Sequence, residues 1–331
     1  MLLGSTSVGD ALGDYEAARG VFAQLVGAAT HDVSFFQTCA AAISQAAHGV
    51  PLARGDEVLI SDEEYPSNAY PWYRAAERAG ASVVAVPVAQ LEEAARTRER
   101  VRVIAVSWVQ FSTGKSVDLR ALADAVHARD GWLVVDAIQG LGIIPFAMSE
   151  SGADVVCGGT HKWCLGPLGH GFMACAPGRA SAMQPLVHGA MTYGTSDDAV
   201  DPKKDARTDP RRFEPGAPLL VGAIGGAAAI SLLLEIGIPR VHQEAMAMAA
   251  LVRAGARARG LDVVVPSGPA AGPITAIIPR HKTGKEIVDA MRARKCSVAP
   301  RGGGVRVAPH VHNGPQHIER FFALWDEIDR A

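Results

Sequence analysis

The sequence predicts an α/β fold, with a large, mainly parallel sheet domain over residues 1-237 and a small α+β C-terminal domain over residues 238-331. Three observations carry this prediction. Over the first two-thirds of the chain, short apolar runs alternate with helix-length patterns, which is how parallel strands joined by crossover helices read. A stretch at 189–218, charged and rich in Asp, Arg and Pro, then shows no period at all. Beyond it the order changes to two helices followed by a compact mixture of strands and helices.

In chain order, the apolar runs predict strands at 58–60, 82–87, 101–107, 132–136, 155–157 and 172–175. Helices are expected between them at 15–26, 40–47, 71–79 and 119–129. The last of these has Asp118 as an N-cap candidate, Leu119, Leu122 and Val126 at helical spacing, and Gly131 just past its end. The aperiodic stretch reads as a long loop, and long loops inside compact domains often carry function. After it come helices at 221–235 and 239–259, strands at 261–266 and 274–279, a helix at 283–294, strands at 296–299 and 305–308, and a helix at 315–329.

Composition narrows the function classes. A formal net charge of −2 gives no electrostatic footprint for nucleic acid or an anionic membrane surface. The five cysteines, Cys39, Cys157, Cys164, Cys175 and Cys296, are never spaced C-x-x-C and read as reduced thiols of a cytoplasmic protein. The first residues lack the basic and apolar regions of a signal peptide.

The informative stretch runs from Trp132 to Gly171. Leu133-Val134-Val135-Asp136 is an apolar strand ending in a carboxylate. Val155-Val156-Cys157 is the next strand, broken at Gly158-Gly159, and Thr160-His161-Lys162-Trp163 and Gly166-Pro167-Leu168-Gly169 follow. If these strands are parallel neighbours, Asp136 and Lys162 emerge at one carboxyl edge, where open α/β sheets bind ligands. Alone, Lys162 reads as a solvated surface lysine and Asp136 as a helix cap. Together, with glycines that allow close backbone approach, they read as a site.

The run Asp136-Ala137-Ile138-Gln139 with Thr160-His161-Lys162-Trp163-Cys164-Leu165-Gly166-Pro167 resembles the class V aminotransferase, or cysteine desulfurase-like, family of fold-type I enzymes. Four more segments resemble family motifs in the same order: Glu64-Tyr65-Pro66-Ser67-Asn68, Val109-Gln110-Phe111-Ser112-Thr113-Gly114, Arg212-Phe213-Glu214-Pro215-Gly216, and Val305-Arg306-Val307-Ala308-Pro309-His310. The resemblance implies the aspartate aminotransferase-like architecture and pyridoxal 5'-phosphate carried as a Schiff base on Lys162. It sets Asp136 against the pyridine nitrogen, where a carboxylate keeps the ring an electron sink. Tyr65 would cover a ring face and Gln139 would meet the phenolic oxygen; each also reads as an ordinary loop or turn residue.

Thr38-Cys39-Ala40-Ala41 falls at a helix start, where free backbone N–H groups suit a phosphate. Cys39 and Ala40 therefore join the expected cofactor-binding set, with Thr160, His161 and Gln110. The family's hydroxyl at the position of Ala41 and its serine near Gly159 are absent, and Ala217 replaces a threonine after Gly216. Arg306, on an apolar strand, suits the α-carboxylate of an amino-acid substrate, or else a structural salt bridge. The Arg212–Gly216 motif implies a homodimer, since in the family that loop reaches the partner's cofactor.

Other signals fall away. Gly114-Lys115-Ser116 suggests a phosphate loop, but Val109 stands where that motif needs glycine. The glycines at 166, 169 and 171 lack dinucleotide-fingerprint spacing. His310, His312 and His317 have no supporting acidic or thiol cluster, so no metal site is expected. The resemblance leaves transamination, C–S or β-elimination, and epimerisation open, as well as cofactor binding without turnover. It argues against a persulfide-forming desulfurase, because the segment Pro300-Arg301-Gly302-Gly303-Gly304 before Arg306 holds no cysteine and Cys296 is expected on a strand.

Overall fold

A computed structural model describes residues 6–194, 200–201, 203–264, 269 and 272–330. Part of the aperiodic stretch and positions 265–266 of the expected strand therefore lie outside the described residues. The strands are β1 (Val33–Phe36), β2 (Glu57–Ser61), β3 (Ser82–Val86), β4 (Val101–Ser107), β5 (Trp132–Asp136), β6 (Val155–Gly159), β7 (Gly171–Cys175), β8 (Asp262–Val264), β9 (Thr275–Ile278), β10 (Ala299–Arg301) and β11 (Gly304–Val307). The helices are α1 (Thr6–Val26), α2 (Cys39–Gly49), α3 (Pro66–Ala79), α4 (Leu91–Thr97), α5 (Leu119–His127), α6 (Met148–Ser151), α7 (Arg179–Ala182), α8 (Leu220–Ile236), α9 (Ile238–Ala258), α10 (Gly284–Ala293) and α11 (Pro315–Arg330).

The chain divides into two units: the first comprises residues up to Trp108, Leu119–Gly142 and Phe146–Glu235, and the second comprises Val109–Asp118, Ile143–Pro145 and Ile236–Ala331. A single boundary at 237 is thus too simple. Two short segments from the first half, one of them carrying Gln110, belong with the C-terminal unit.

In the first unit the strands form one seven-stranded sheet in the order β1-β7-β6-β5-β4-β2-β3. All pair in parallel except β7, which is antiparallel to both β6 and β1. Every residue of β5, β6 and β7 is buried, as expected for strands covered on both faces. One core layer packs Ile43 and Ala46 of α2 and Trp72 of α3 against Ile60, Val103 and Val134 of the sheet. The edge strand β3 is half-exposed, which fits its single partner. The sequence runs past β6 without breaking, since Gly158 and Gly159 remain in the ladder opposite Phe172 and Gly171.

The second unit holds a four-stranded antiparallel sheet in the order β10-β11-β9-β8. Val252, Ile277, Ile287, Val305, Phe321 and Trp325 form its core. Cys296, expected on a strand, instead lies in the turn after α10, where its backbone N–H donates to Met291 O at 2.9 Å. Among the described residues no single helix is long and apolar enough to cross a membrane.

Candidate active site

The carboxyl ends of β5 and β6 bring the principal predicted residues together. Asp136 closes β5, in register with Cys157 of β6 and Ser107 of β4. It is only 4 % exposed. Among the described residues both hydrogen bonds to its carboxylate fall on one oxygen: Oδ1 accepts from the Ile138 N–H at 3.0 Å and from the Cys39 thiol at 3.6 Å. Burial raises the Asp136 pKa above the ordinary carboxylate value, while the Ile138 N–H, the charge of Lys162 and the Cys39 thiol oppose that rise.

Lys162 lies in the turn that leaves β6, half-buried, with its Nζ 5.6 Å from the centre of the Tyr65 ring. This separation suits a cation–π contact. The turn is closed by Leu165 N–H donating to Lys162 O and Gly166 N–H donating to Thr160 O. Gly142, at a φ of +90°, lets this turn dock; a β-carbon there would lie 2.9 Å from the Trp163 carbonyl carbon.

Tyr65 caps the start of α3, with extended backbone ahead of Pro66 in the first helical position. Its neighbour Glu64, which sequence reasoning missed as a functional residue, braces it. Glu64 accepts from Ser107 N–H at 2.7 Å, from the Ser107 hydroxyl at 2.5 Å and from the Asn68 amide at 2.9 Å. Trp163 was missed as well. Its indole N–H donates to Gln139 Oε1 at 3.1 Å. An indole N–H can only donate, so the Gln139 oxygen must face it and the amide NH2 faces away, without a partner among the described residues.

Phosphate-type contacts separate into residues that fit and residues that do not. Thr38 caps α2, its hydroxyl accepting from Ala41 N–H at 3.0 Å, and the N–H groups of Cys39 and Ala40 have no acceptor among the described residues. Gly171 permits this approach, since a β-carbon there would collide with the Thr38–Cys39 backbone. The Cys39 side chain, however, turns away to Asp136. Burial and the neighbouring carboxylate push its thiol pKa well above the ordinary value, so the helix start does not yield a thiolate.

Thr160 is corrected as a phosphate ligand. It is fully buried, and its hydroxyl donates to Pro167 O at 2.6 Å, which leaves no hydrogen for a phosphate. His161 lies beside Lys162 at the surface, and the partial covering of its ring together with that charge lowers its pKa. Arg212, at the start of the 212–216 segment, is buried and donates to Ala180 O and Ser181 O. Glu214 of the same segment accepts from the buried guanidinium of Arg19, from Phe35 N–H and from the Tyr15 hydroxyl.

The second unit contains Gln110 and Arg306. Gln110 is buried at a tight turn, its N–H donating to Lys115 O at 2.7 Å. Arg306 on β11 donates to Phe111 O at 2.7 Å; its Nε is buried without a partner among the described residues, and burial lowers its pKa. No salt bridge to Arg306 is present among the described residues.

The donor set fits pyridoxal phosphate: an amine, a buried carboxylate with one oxygen uncommitted, an aromatic face, an oriented amide NH2 and free helix N–H groups. Comparisons agree. The family model described as Aminotransferase class-V matches residues 5–303. An uncharacterised aminotransferase of Bacillus subtilis is 26% identical over 322 residues, covering 96% of this chain and 85% of its own. A protein named isopenicillin N epimerase from Amycolatopsis lactamdurans is 27% identical, with 95% and 84% covered. One named probable cysteine desulfurase from Methanothermobacter thermautotrophicus is 29% identical, covering 70% and 59%. A cysteine desulfurase structure from Thermococcus onnurineus NA1 superposes with a TM-score of 0.87 at 21% identity, covering 97% of this chain and 84% of that one. The shared architecture is the fold-type I α/β arrangement.

Proposed function

Because the chain belongs to the class-V aminotransferase family and is an enzyme whose cofactor is pyridoxal 5'-phosphate, we propose that it processes an amino acid by transamination or by β-elimination of the C–S-lyase kind. The carrying observation is geometric: buried Asp136 ends β5 beside β6, and Lys162, in the turn that leaves β6, holds its Nζ over the Tyr65 ring. When bound, the cofactor supplies an electron sink for charge developing at the substrate's α-carbon.

The chain's own residues do the rest. Lys162 Nζ holds the cofactor and moves the proton at the α-carbon. The uncommitted oxygen of Asp136 keeps a proton on the ring nitrogen. Tyr65 covers the ring, and the Gln139 NH2, fixed by Trp163, donates to the ring oxygen. The N–H groups of Cys39 and Ala40 meet the phosphate, as the start of a helix favours. His161 and Gln110 complete the cofactor-binding set. Arg306 binds the substrate carboxylate; a buried guanidinium with an idle Nε is costly unless an anion meets it.

The thiols support a route without a protein persulfide. Four cysteines are buried, and burial raises the pKa of half-buried Cys296. A persulfide-forming thiol needs the opposite: an accessible, low-pKa thiolate. Homodimerisation is part of the same reading, supported by the exposed apolar side chains Leu168 (81 %), Val221 (78 %), Val187 and Leu219 on the first unit.

Borohydride reduction of the holoenzyme followed by peptide mapping tests the assignment. The pyridoxyl group is expected on Lys162, and a label on any other lysine would overturn it. Incubation with single amino acids then sorts the reaction. Ammonia release marks elimination, a keto acid without ammonia marks transamination, and an inverted amino acid would favour epimerisation instead.

A further inference from the structure

We infer that Cys39 is a positioning residue for Asp136, its thiol hydrogen holding Oδ1 so that Oδ2 is left to the cofactor's ring nitrogen. The inference rests on the role proposed for Asp136, and it adds a residue that the helix-start reading treats only as a backbone donor. The geometry is asymmetric. Ile138 N–H and Cys39 Sγ both approach Oδ1, at 3.0 and 3.6 Å, and Oδ2 accepts nothing among the described residues. Cys39 is 6 % exposed and Asp136 4 % exposed, so water does not compete for that bond.

A carboxylate rotates about its Cα–Cβ and Cβ–Cγ bonds unless donors fix it. The Ile138 N–H alone defines a pivot; a second donor from another element fixes the plane. Cys39 comes from the first turn of α2, while Ile138 follows β5, so the two donors arrive from different segments. Cys39 thereby links the helix start, whose Cys39 and Ala40 N–H groups would meet the phosphate, to the carboxylate that would meet the ring nitrogen. Alanine at this position removes the donor, whereas serine keeps a donor of nearly the same size.

Buried carboxylates drift toward the neutral acid, and a neutral Asp136 could not hold a proton on the ring nitrogen. The thiol bond opposes that drift. Cys39 has no part as a nucleophile here, because burial and the adjacent carboxylate keep it a thiol.

The test uses the cofactor-free protein, so it does not depend on the chemistry. Infrared difference spectroscopy on Asp-labelled protein follows the Asp136 carboxyl, identified by its loss in Asp136→Ala. In Cys39→Ala it should titrate at higher pH than in the wild type, and Cys39→Ser should return it to the wild-type position or below. The S–H stretch of Cys39, identified by its loss in Cys39→Ser, should sit at low frequency in the wild type and move up in Asp136→Ala. This second measurement holds even if Cys39→Ala does not fold. In the holoenzyme, Cys39→Ala should lower turnover about fivefold, the effect of losing one modest hydrogen bond, with Cys39→Ser restoring it. An unshifted S–H band in Asp136→Ala, or equal carboxyl titration in the Ala and Ser variants, would overturn the assignment. A failed borohydride label with an intact thiol–carboxylate signal would instead refute the cofactor chemistry and spare the contact.

Discussion

His170 sits in an unusual place for a histidine, and its titration can be worked from the structure. It is 2 % exposed, packed edge-on to Phe22 at 5.5 Å and against Phe35 at 4.9 Å, and neither ring nitrogen has a partner among the described residues. Burial pushes its pKa from 6.5 down to about 4. An unfolded chain takes up this proton as the pH falls through about 6.5, whereas the folded chain does not until about 4. Above about 6.5 both states are neutral and the residue is silent. Between the two values the unfolded state binds more protons and stability falls. The full gap corresponds to about 3 kcal/mol, and at pH 5 about 2 kcal/mol of it is already lost. The His170 carbonyl accepts from Thr160 N–H and lies 3.3 Å from the Thr160 hydroxyl, so the loss is felt at the base of the Lys162 turn. Urea melts of wild type and His170→Phe at pH 7.5 and 5 isolate the effect, since other titrating groups cancel in the comparison. The variant should lose about 2 kcal/mol less than the wild type between the two pH values. Equal losses would show that His170 finds a proton acceptor or water in the fold and that the burial argument is wrong.

Two further outcomes are expected. Cys296→Ser should keep nearly all activity, and no persulfide should be detected on the wild-type thiol by mass spectrometry after incubation with cysteine; finding one would move the protein to the desulfurase route. Trp163→Phe removes the donor that orients Gln139, so cofactor retention measured by equilibrium dialysis should weaken about tenfold, near the upper end for one net hydrogen bond. Unchanged retention would mean that the Gln139 amide does not face the cofactor.

The strand ends that hold Asp136 and Lys162 were legible because an apolar run closing on a polar residue is a local signal. Other features were not local. The strand Val33–Phe36 went unread, since four residues with no clear alternation carry too little periodicity. The antiparallel direction of β7 leaves no mark in its composition. The helix at 66–79 was expected to begin at Pro71, because proline favours a first helical turn; Pro66 takes that place and Pro71 lies inside the helix. Cys296 was misplaced on a strand because an apolar helix end and an apolar strand start look alike. The contacts Cys39–Asp136, Glu64–Ser107 and Trp163–Gln139 join residues 97, 43 and 24 positions apart, and no spacing rule reaches that far.

The reversed strand β7 bears on how the lysine can move. Because β6 and β7 are hydrogen-bonded neighbours up to Gly159 and Gly171, the segment between them is a closed hairpin clamped at both stems. A lid hinged at one end can swing; a loop clamped at two cannot travel without unzipping the ladder. With both stems held, rotation about the side chain's own carbon–carbon bonds is the most direct way for the Lys162 amine to move. Motions of this kind are complete within nanoseconds and need no backbone rearrangement. On this account the ladder amides at the two stems, at Gly158 and Phe172, should exchange equally slowly in the resting and working enzyme.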